Sequence, residues 1–161
     1  MKVLGPPLDE VSRNASVFPA YLLRHGDTGL CLFSAAFFGR NDAIHMARQE
    51  MVVTCVDIDT ARLAQMSAMY PPDWSFVPGD AWGFALAAEE RGDMWDVVSV
   101  DTFTGNATER GLASLELWCS LATRVMAATV CPDSEYVVPD GWKPSVLPRS
   151  EIASWLILER E

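Results

Sequence analysis

Three aspartates, Asp57, Asp80 and Asp101, each follow a short apolar run and are the side chains in this sequence best placed to do chemistry. A carboxylate offers two acceptor oxygens and no donor, so it suits hydroxyl or amino groups of a ligand, and with a suitable neighbour it can take a proton. If the three runs are adjacent strands, their carboxylates converge on one crevice beyond the strand ends, where open α/β sheets bind ligands. A plainer role competes with this one. Asp57 and Asp59 equally suit the cap of a helix starting near Thr60, and Asp80 the cap of a helix starting at Ala81.

The elements that would position these residues follow from pattern. Gly29 to Ala35 is an apolar run of strand length, Phe37 to Asn41 reads as a loop, and Asp42 to Gln49 as a helix. Met51 to Val56 is rich in β-branched residues and predicts a buried strand. A helix from Thr60 to Met69 is stopped by Pro71-Pro72. A brief strand, Trp74 to Val77, leads through Pro78-Gly79-Asp80 into a helix from Ala81 to Arg91, with Gly92 as its C-terminal cap. Trp95 to Val100 is the next strand. Leu112, Leu115, Cys119, Ala122 and Met126 recur at three- and four-residue steps, which predicts an amphipathic helix over 108–126. A strand from Ala127 to Val130, a Pro-rich stretch from Pro132 to Pro148, and a final strand from Trp155 to Glu159 complete the chain. Alternating strands and helices with near-continuous apolar strands predict a three-layer α/β fold, a mostly parallel sheet with helices on both faces. One domain is expected over 1–161, with a lead-in at 1–28, a core at 29–130 and a C-terminal loop and strand at 131–161.

Composition narrows the function. At 161 residues, half of them hydrophobic, a single domain can bury about 70% of its unfolded surface. The formal net charge is −10, which opposes approach to a phosphate backbone, so a nucleic-acid partner is not expected. No run approaches the roughly 20 apolar residues of a membrane span, and Met1 to Glu10 lacks the apolar core of a signal peptide. A cytoplasmic site with no membrane partner is the expectation. Cys31, Cys55, Cys119 and Cys131 are scattered singly, without the close ligand pairs of a zinc site, so no metal is expected and the thiols read as reduced, mostly buried residues.

Motif order then suggests a family. Phe38-Gly39-Arg40-Asn41-Asp42-Ala43-Ile44-His45-Met46-Ala47-Arg48 resembles the loop and first helix of class I S-adenosylmethionine-dependent methyltransferases. Val53-Thr54-Cys55-Val56-Asp57-Ile58-Asp59 resembles their second strand and acidic loop, Gly79-Asp80-Ala81-Trp82 the turn after their third strand, and Trp95 to Asp101 their fourth strand. The likeness covers about Gly29 to Val130. It implies a Rossmann-like sheet and S-adenosylmethionine as cofactor. It implies that Asp57 receives the ribose hydroxyls beside Ile58, and that Asp80 and the Ala81 backbone meet the adenine. Trp82 would flank the ring, Ala35, Phe37 and Gly39 would form the loop around the methionine part, and Asp101 would stand beside the reacting groups as the catalytic candidate.

The loop departs from the family pattern. The usual acid falls on Phe33, and two expected glycines fall on Ala35 and Phe37, leaving Gly39 alone. Glycines suit that loop because the backbone turns tightly against the ligand. Two functions follow. The first is methyl transfer to a small molecule or protein, which relies on alignment and needs little side-chain chemistry. The second is a catalytically silent relative that serves as a subunit, or self-associates, through some of its six tryptophans. Arg24-His25-Gly26 also matches a histidine-phosphatase signature, in which the histidine takes the phosphoryl group. That chemistry needs a second histidine, and His45 falls on the first helix of the parallel-sheet reading.

Overall fold

Parallel strands buried on both faces need apolar residues at nearly every position; four such runs and a shorter edge run become parallel strands in the computed structural model. They are β1 (Thr28–Leu32), β2 (Val52–Asp57), β3 (Ser75–Pro78), β4 (Trp95–Val100) and β5 (Ala122–Val130). Two further strands, β6 (Trp142–Pro148) and β7 (Ser154–Arg160), complete a sheet of order β3-β2-β1-β4-β5-β7-β6. β7 is antiparallel to both its neighbours. The helices are α1 (Gly39–Arg48), α2 (Thr60–Met69), α3 (Ala81–Arg91), α4 (Gly105–Ala113) and α5 (Leu115–Ser120). The structure describes residues 26–33, 39–102, 105–148 and 154–161. The expected lead-in, including His25, therefore lies almost wholly outside the described residues, as do Ala35 and Phe37.

The two-residue period of each strand divides the core into two layers. Cys31, Val53, Cys55, Val97, Ala127, Trp155 and Ile157 face α1 and α2, where Ala43, Ala47, Leu63 and Met66 meet them. Leu30, Leu32, Val56, Val98, Val100, Met126, Leu156 and Leu158 face the opposite way, toward Ala85 and Ala88 of α3, Leu112 of α4 and Trp118 of α5. Gly29 is what lets α1 lie close: a Cβ there would come within 2.5 Å of Met46 Sδ. The result is a three-layer α/β fold with helices on both faces of a mostly parallel sheet.

Local chemistry sets the helix ends. Asp59 caps α2 by accepting from the Arg62 N–H at 3.0 Å, and α2 ends at Met69 before Tyr70 and the two prolines. Asp80 caps α3, and Gly92, at φ 77°, ends it in the left-handed conformation.

Three expectations need correction. The first helix begins at Gly39, where a loop was expected. The predicted helix over 108–126 is two short helices that break at Ser114, and its last residues belong to β5. Ala122 and Met126 satisfy the helical spacing, but both are buried on a central strand and pair with β4. There, burial on both faces makes strand and helix patterns indistinguishable. Finally, the Pro-rich stretch contains strand β6. Pro144 and Pro148 are tolerated because β6 is an edge strand, with one side free of ladder hydrogen bonds.

The end of the sheet opposite the aspartates is held by Asp96. Its Oδ2 accepts from the N–H groups of Asp27 (2.7 Å) and Thr28 (3.2 Å), and its Oδ1 from the Thr123 hydroxyl (2.9 Å), joining β1, β4 and β5. Burial alone would raise this carboxyl, but the hydrogen bonds from Asp27, Thr123 and Thr28, with the charge of Arg124, hold it below its ordinary value. A depressed carboxyl stabilises the fold above its unfolded pKa and loses that contribution as pH falls through the folded one. Asp96→Asn should therefore lower the urea midpoint at neutral pH, and its difference from wild type should narrow below about pH 4. Urea melts of both proteins across pH check this; a difference independent of pH would contradict it.

Candidate functional site

Strand β1 connects outward to β2 on one side and lies beside β4 on the other. The order in which strands are added thus reverses at the β1–β4 boundary, and crossovers leaving to opposite sides open a crevice beyond the strand tips.

At these tips lies a hollow of about 70 Å³ lined by Phe33, Asp57, Ile58, Gly79, Asp80 and Ala81. Asp57 ends β2 and is 8% exposed. Its Oδ1 accepts from the Asp59 N–H at 2.8 Å, which fixes the turn toward α2, and its carbonyl accepts from the Gly79 N–H at 2.9 Å. That second bond ties the β2 loop to the β3 loop and brings Asp80 round to the same hollow. Gly79 has φ 147°, a value that side-chain-bearing residues rarely adopt. Asp80 Oδ2 accepts from the Gly83 N–H at 2.9 Å, so the helix-capping role is real. Oδ1 of Asp80 has no partner among the described residues. Ile58 stands at the rim, 80% exposed, as an aliphatic surface.

Four of the expected site residues, Asp57, Ile58, Asp80 and Ala81, therefore share one hollow, and Gly39 opens α1. Trp82 and Asp101 do not line it. The Trp82 indole N–H donates to the Ser114 hydroxyl at 3.2 Å, and its ring lies 5.9 Å from that of Trp118. The Arg110 guanidinium sits 3.8 Å over the same ring. Asp101 is 1% exposed. Its N–H donates to the Leu32 carbonyl at 3.2 Å, and its Oδ1 accepts from the Thr129 hydroxyl at 3.3 Å. It thereby fixes the chain leaving β4 beside the end of β1.

Phe33 and Gly79 complete the lining. Phe33 was notable in the sequence only as the position where an acid is usual. It holds φ 62°, uncommon for any residue but glycine, asparagine or aspartate, and its ring meets Trp82 edge-on with centroids 5.0 Å apart. A bulky side chain thus adopts a left-handed backbone directly after β1, at a cost on the order of 1 kcal/mol.

Two of the buried thiols, Cys31 and Cys119, are held protonated. A hydrogen bond with Cys55, burial, and the charges of Asp42 and Asp101 push Cys31 well above its ordinary value. Burial, opposed by Arg160, pushes Cys119 up to about 12. Thiols need the thiolate form to attack, so both are inert near neutral pH. Among the described residues no three metal-ligating side chains come together.

No family model matches the sequence, and no curated protein matches it. Solved structures do. A protein of Haemophilus influenzae described as a methylase is 17% identical, with 96% of this chain and 90% of that one covered, at a TM-score of 0.66. A protein of Escherichia coli described as a methyltransferase is 15% identical over 88% of this chain and 80% of its own, at 0.64. The human methyltransferase-like protein 13, solved in complex with SAH, is 16% identical over 94% and 79%, at 0.60. This chain has the class I methyltransferase fold. Within that fold, the hollow lined by Asp57 and Asp80 lies at the tips of β2 and β3, adjoining the β1–β4 reversal.

The thiol environments give a direct check. Of the four cysteines, three are buried and Cys131 is half-buried. The native protein should react quickly with a thiol reagent at Cys131 and slowly at Cys31, Cys55 and Cys119, whereas denatured protein should react at all four. Rapid native labelling of Cys31, located by peptide mass, would contradict the assigned environment.

Proposed function

We propose that the chain is an S-adenosylmethionine-dependent methyltransferase acting on a small molecule or a protein. The observation that carries this reading is that Asp57, Ile58, Asp80 and Ala81 line one hollow in a class I methyltransferase fold. Structures similar in fold include a second protein described as a methyltransferase and the human protein, each solved with SAH.

The donor set suits the adenosine end of the cofactor. The Asp57 carboxylate offers acceptors for ribose hydroxyls, and charge-assisted hydrogen bonds of this kind are the strong ones. Exposed Ile58 offers an apolar face to a purine, and Asp80 Oδ1 together with the Ala81 backbone offers polar atoms to its edge. Volume is the obstacle. A hollow of about 70 Å³ is well below the roughly 300 Å³ at which small-molecule pockets begin. Phe33 lines it, so binding requires that ring to move.

When bound, the cofactor supplies the methyl group. The protein's own part is alignment of a nucleophile with that methyl and exclusion of water, which alone can remove much of a barrier. Asp101 is the candidate base beside the reversal point. At 1% exposure its immediate effect is to hold the chain after β4, and alignment does not require it to transfer a proton.

Calorimetric titration with S-adenosylhomocysteine tests the reading. Wild type should bind, Asp57→Ala should bind about tenfold or more weakly through loss of charge-assisted hydrogen bonds, and Phe33→Ala should bind more tightly than wild type by enlarging the hollow. No heat with either wild type or Phe33→Ala at millimolar ligand would reject the proposal.

A further inference from the structure

A second cavity, of about 540 Å³, lies between helices α4–α5 and the chain joining β5 to β6. Its origin lies in local sequence. Glu109, Leu112, Ala113 and Glu116 recur at helical spacing on one face of α4 and α5, and residues 131–141 cross from β5 to β6 without forming a helix. That crossover covers the flank of α4 incompletely and leaves a groove. Leu112 and Leu115, 3% and 2% exposed, form its floor with Tyr136. Val137, 84% exposed, stands on its rim.

Two features say what fits this groove. Three carboxylates, Glu109, Glu116 and Glu135, surround the apolar floor, and none has an ion pair or hydrogen bond among the described residues. The nearby cation, Arg110, is engaged over Trp82. Separately, the wall from Glu135 to Pro139 is irregular chain that makes no backbone hydrogen bond among the described residues. A wall whose main-chain donors and acceptors are unused among the described residues suits a peptide, since peptides gain affinity by main-chain pairing and specificity from side-chain pockets. The size of the cavity suits a few side chains.

We infer that this groove docks a basic, amphipathic segment of another polypeptide, with Lys or Arg side chains over the three glutamates and an aliphatic or aromatic residue on the Leu112–Leu115–Tyr136 floor. A second copy of this chain is a poor occupant, because each copy carries a net charge of −10 and would meet the acidic groove with like charge. A peptide with the opposite pattern, acidic and apolar, is repelled for the same reason. The inference does not depend on methyl transfer, because the groove and the strand-tip hollow share no lining residue.

Calorimetry with an acetylated Lys-Leu-Lys-Leu-Lys amide, and with its Glu-Leu-Glu-Leu-Glu counterpart, tests it. Wild type should bind the first peptide and not the second. The triple variant Glu109→Gln/Glu116→Gln/Glu135→Gln should bind about tenfold or more weakly, the sum expected of three partly exposed ion pairs. A control variant that removes the same charge elsewhere, Glu50→Gln/Asp73→Asn/Glu90→Gln, should bind like wild type. Ala113→Trp, which fills the rim without changing charge, should abolish binding, and its thermal melt should match wild type. Equal weakening in the triple and control variants would overturn the inference by reducing it to general attraction to an acidic protein. So would undiminished binding to Ala113→Trp, or sedimentation showing a wild-type dimer that Ala113→Trp dissociates.

Discussion

Strand β1 is buried on both faces and flanked by β2 and β4, and the rest of the structure depends on that placement. Leu30 and Leu32 point into one core layer and Cys31 into the other, and all three are fully buried. The strand ends before Phe33, whose backbone is left-handed at φ 62°. With β2 and β3 stepping one way and β4 and β5 the other, every forward-running strand delivers its carboxyl end to the same edge of the sheet. The acidic loops meet there as a consequence of topology.

The opposite ends of the strands carry a complementary set of restraints. Asp96 gathers the starts of β1, β4 and β5, and the Arg160 guanidinium donates to the carbonyls of Ala122 and Thr123 while lying over the Trp142 ring. Polar and charged groups at that edge are spent on holding strands together. At the other end, Asp57 accepts from the Asp59 N–H and Asp80 from the Gly83 N–H. Those bonds fix the loops and present the carboxylates to the hollow. Capping and ligand recognition are therefore compatible roles for the same side chains, because a carboxylate has more acceptor positions than one backbone donor can fill.

Much of this was readable from the residue pattern. The β-branched run at Val52–Val56, the helix from Thr60 to Met69, and the helix closed by Gly92 carry strong local signals, and each forms as expected. The convergence of Asp57 and Asp80 was also legible, since parallel strands of similar length leave their last residues side by side. What was not legible depended on tertiary context. Met126 reads as the fifth turn of a helix until its pairing with β4 is known, and Pro144 argues against a strand unless that strand is at an edge. The burial of Asp101 was equally hidden: sequence places it after β4, and only the Thr129 hydroxyl and the Leu32 carbonyl show that it faces inward. Phe33 looked like a lost acid, and in the structure it is an aromatic ring lining the hollow and braced edge-on by Trp82.

The central claim is that the strand-tip hollow is an adenosine site that Phe33 narrows. Methyl-resolved NMR on protein labelled at isoleucine and alanine methyls reads it most directly. Titration with S-adenosylhomocysteine should displace the Ile58 and Ala81 methyl resonances by ring currents from the purine, while the Ile44 and Ala113 methyls, set in the α1 layer and the flank groove, stay in place. Saturating ligand that leaves Ile58 and Ala81 unmoved, or that shifts Ala113 instead, would contradict the account.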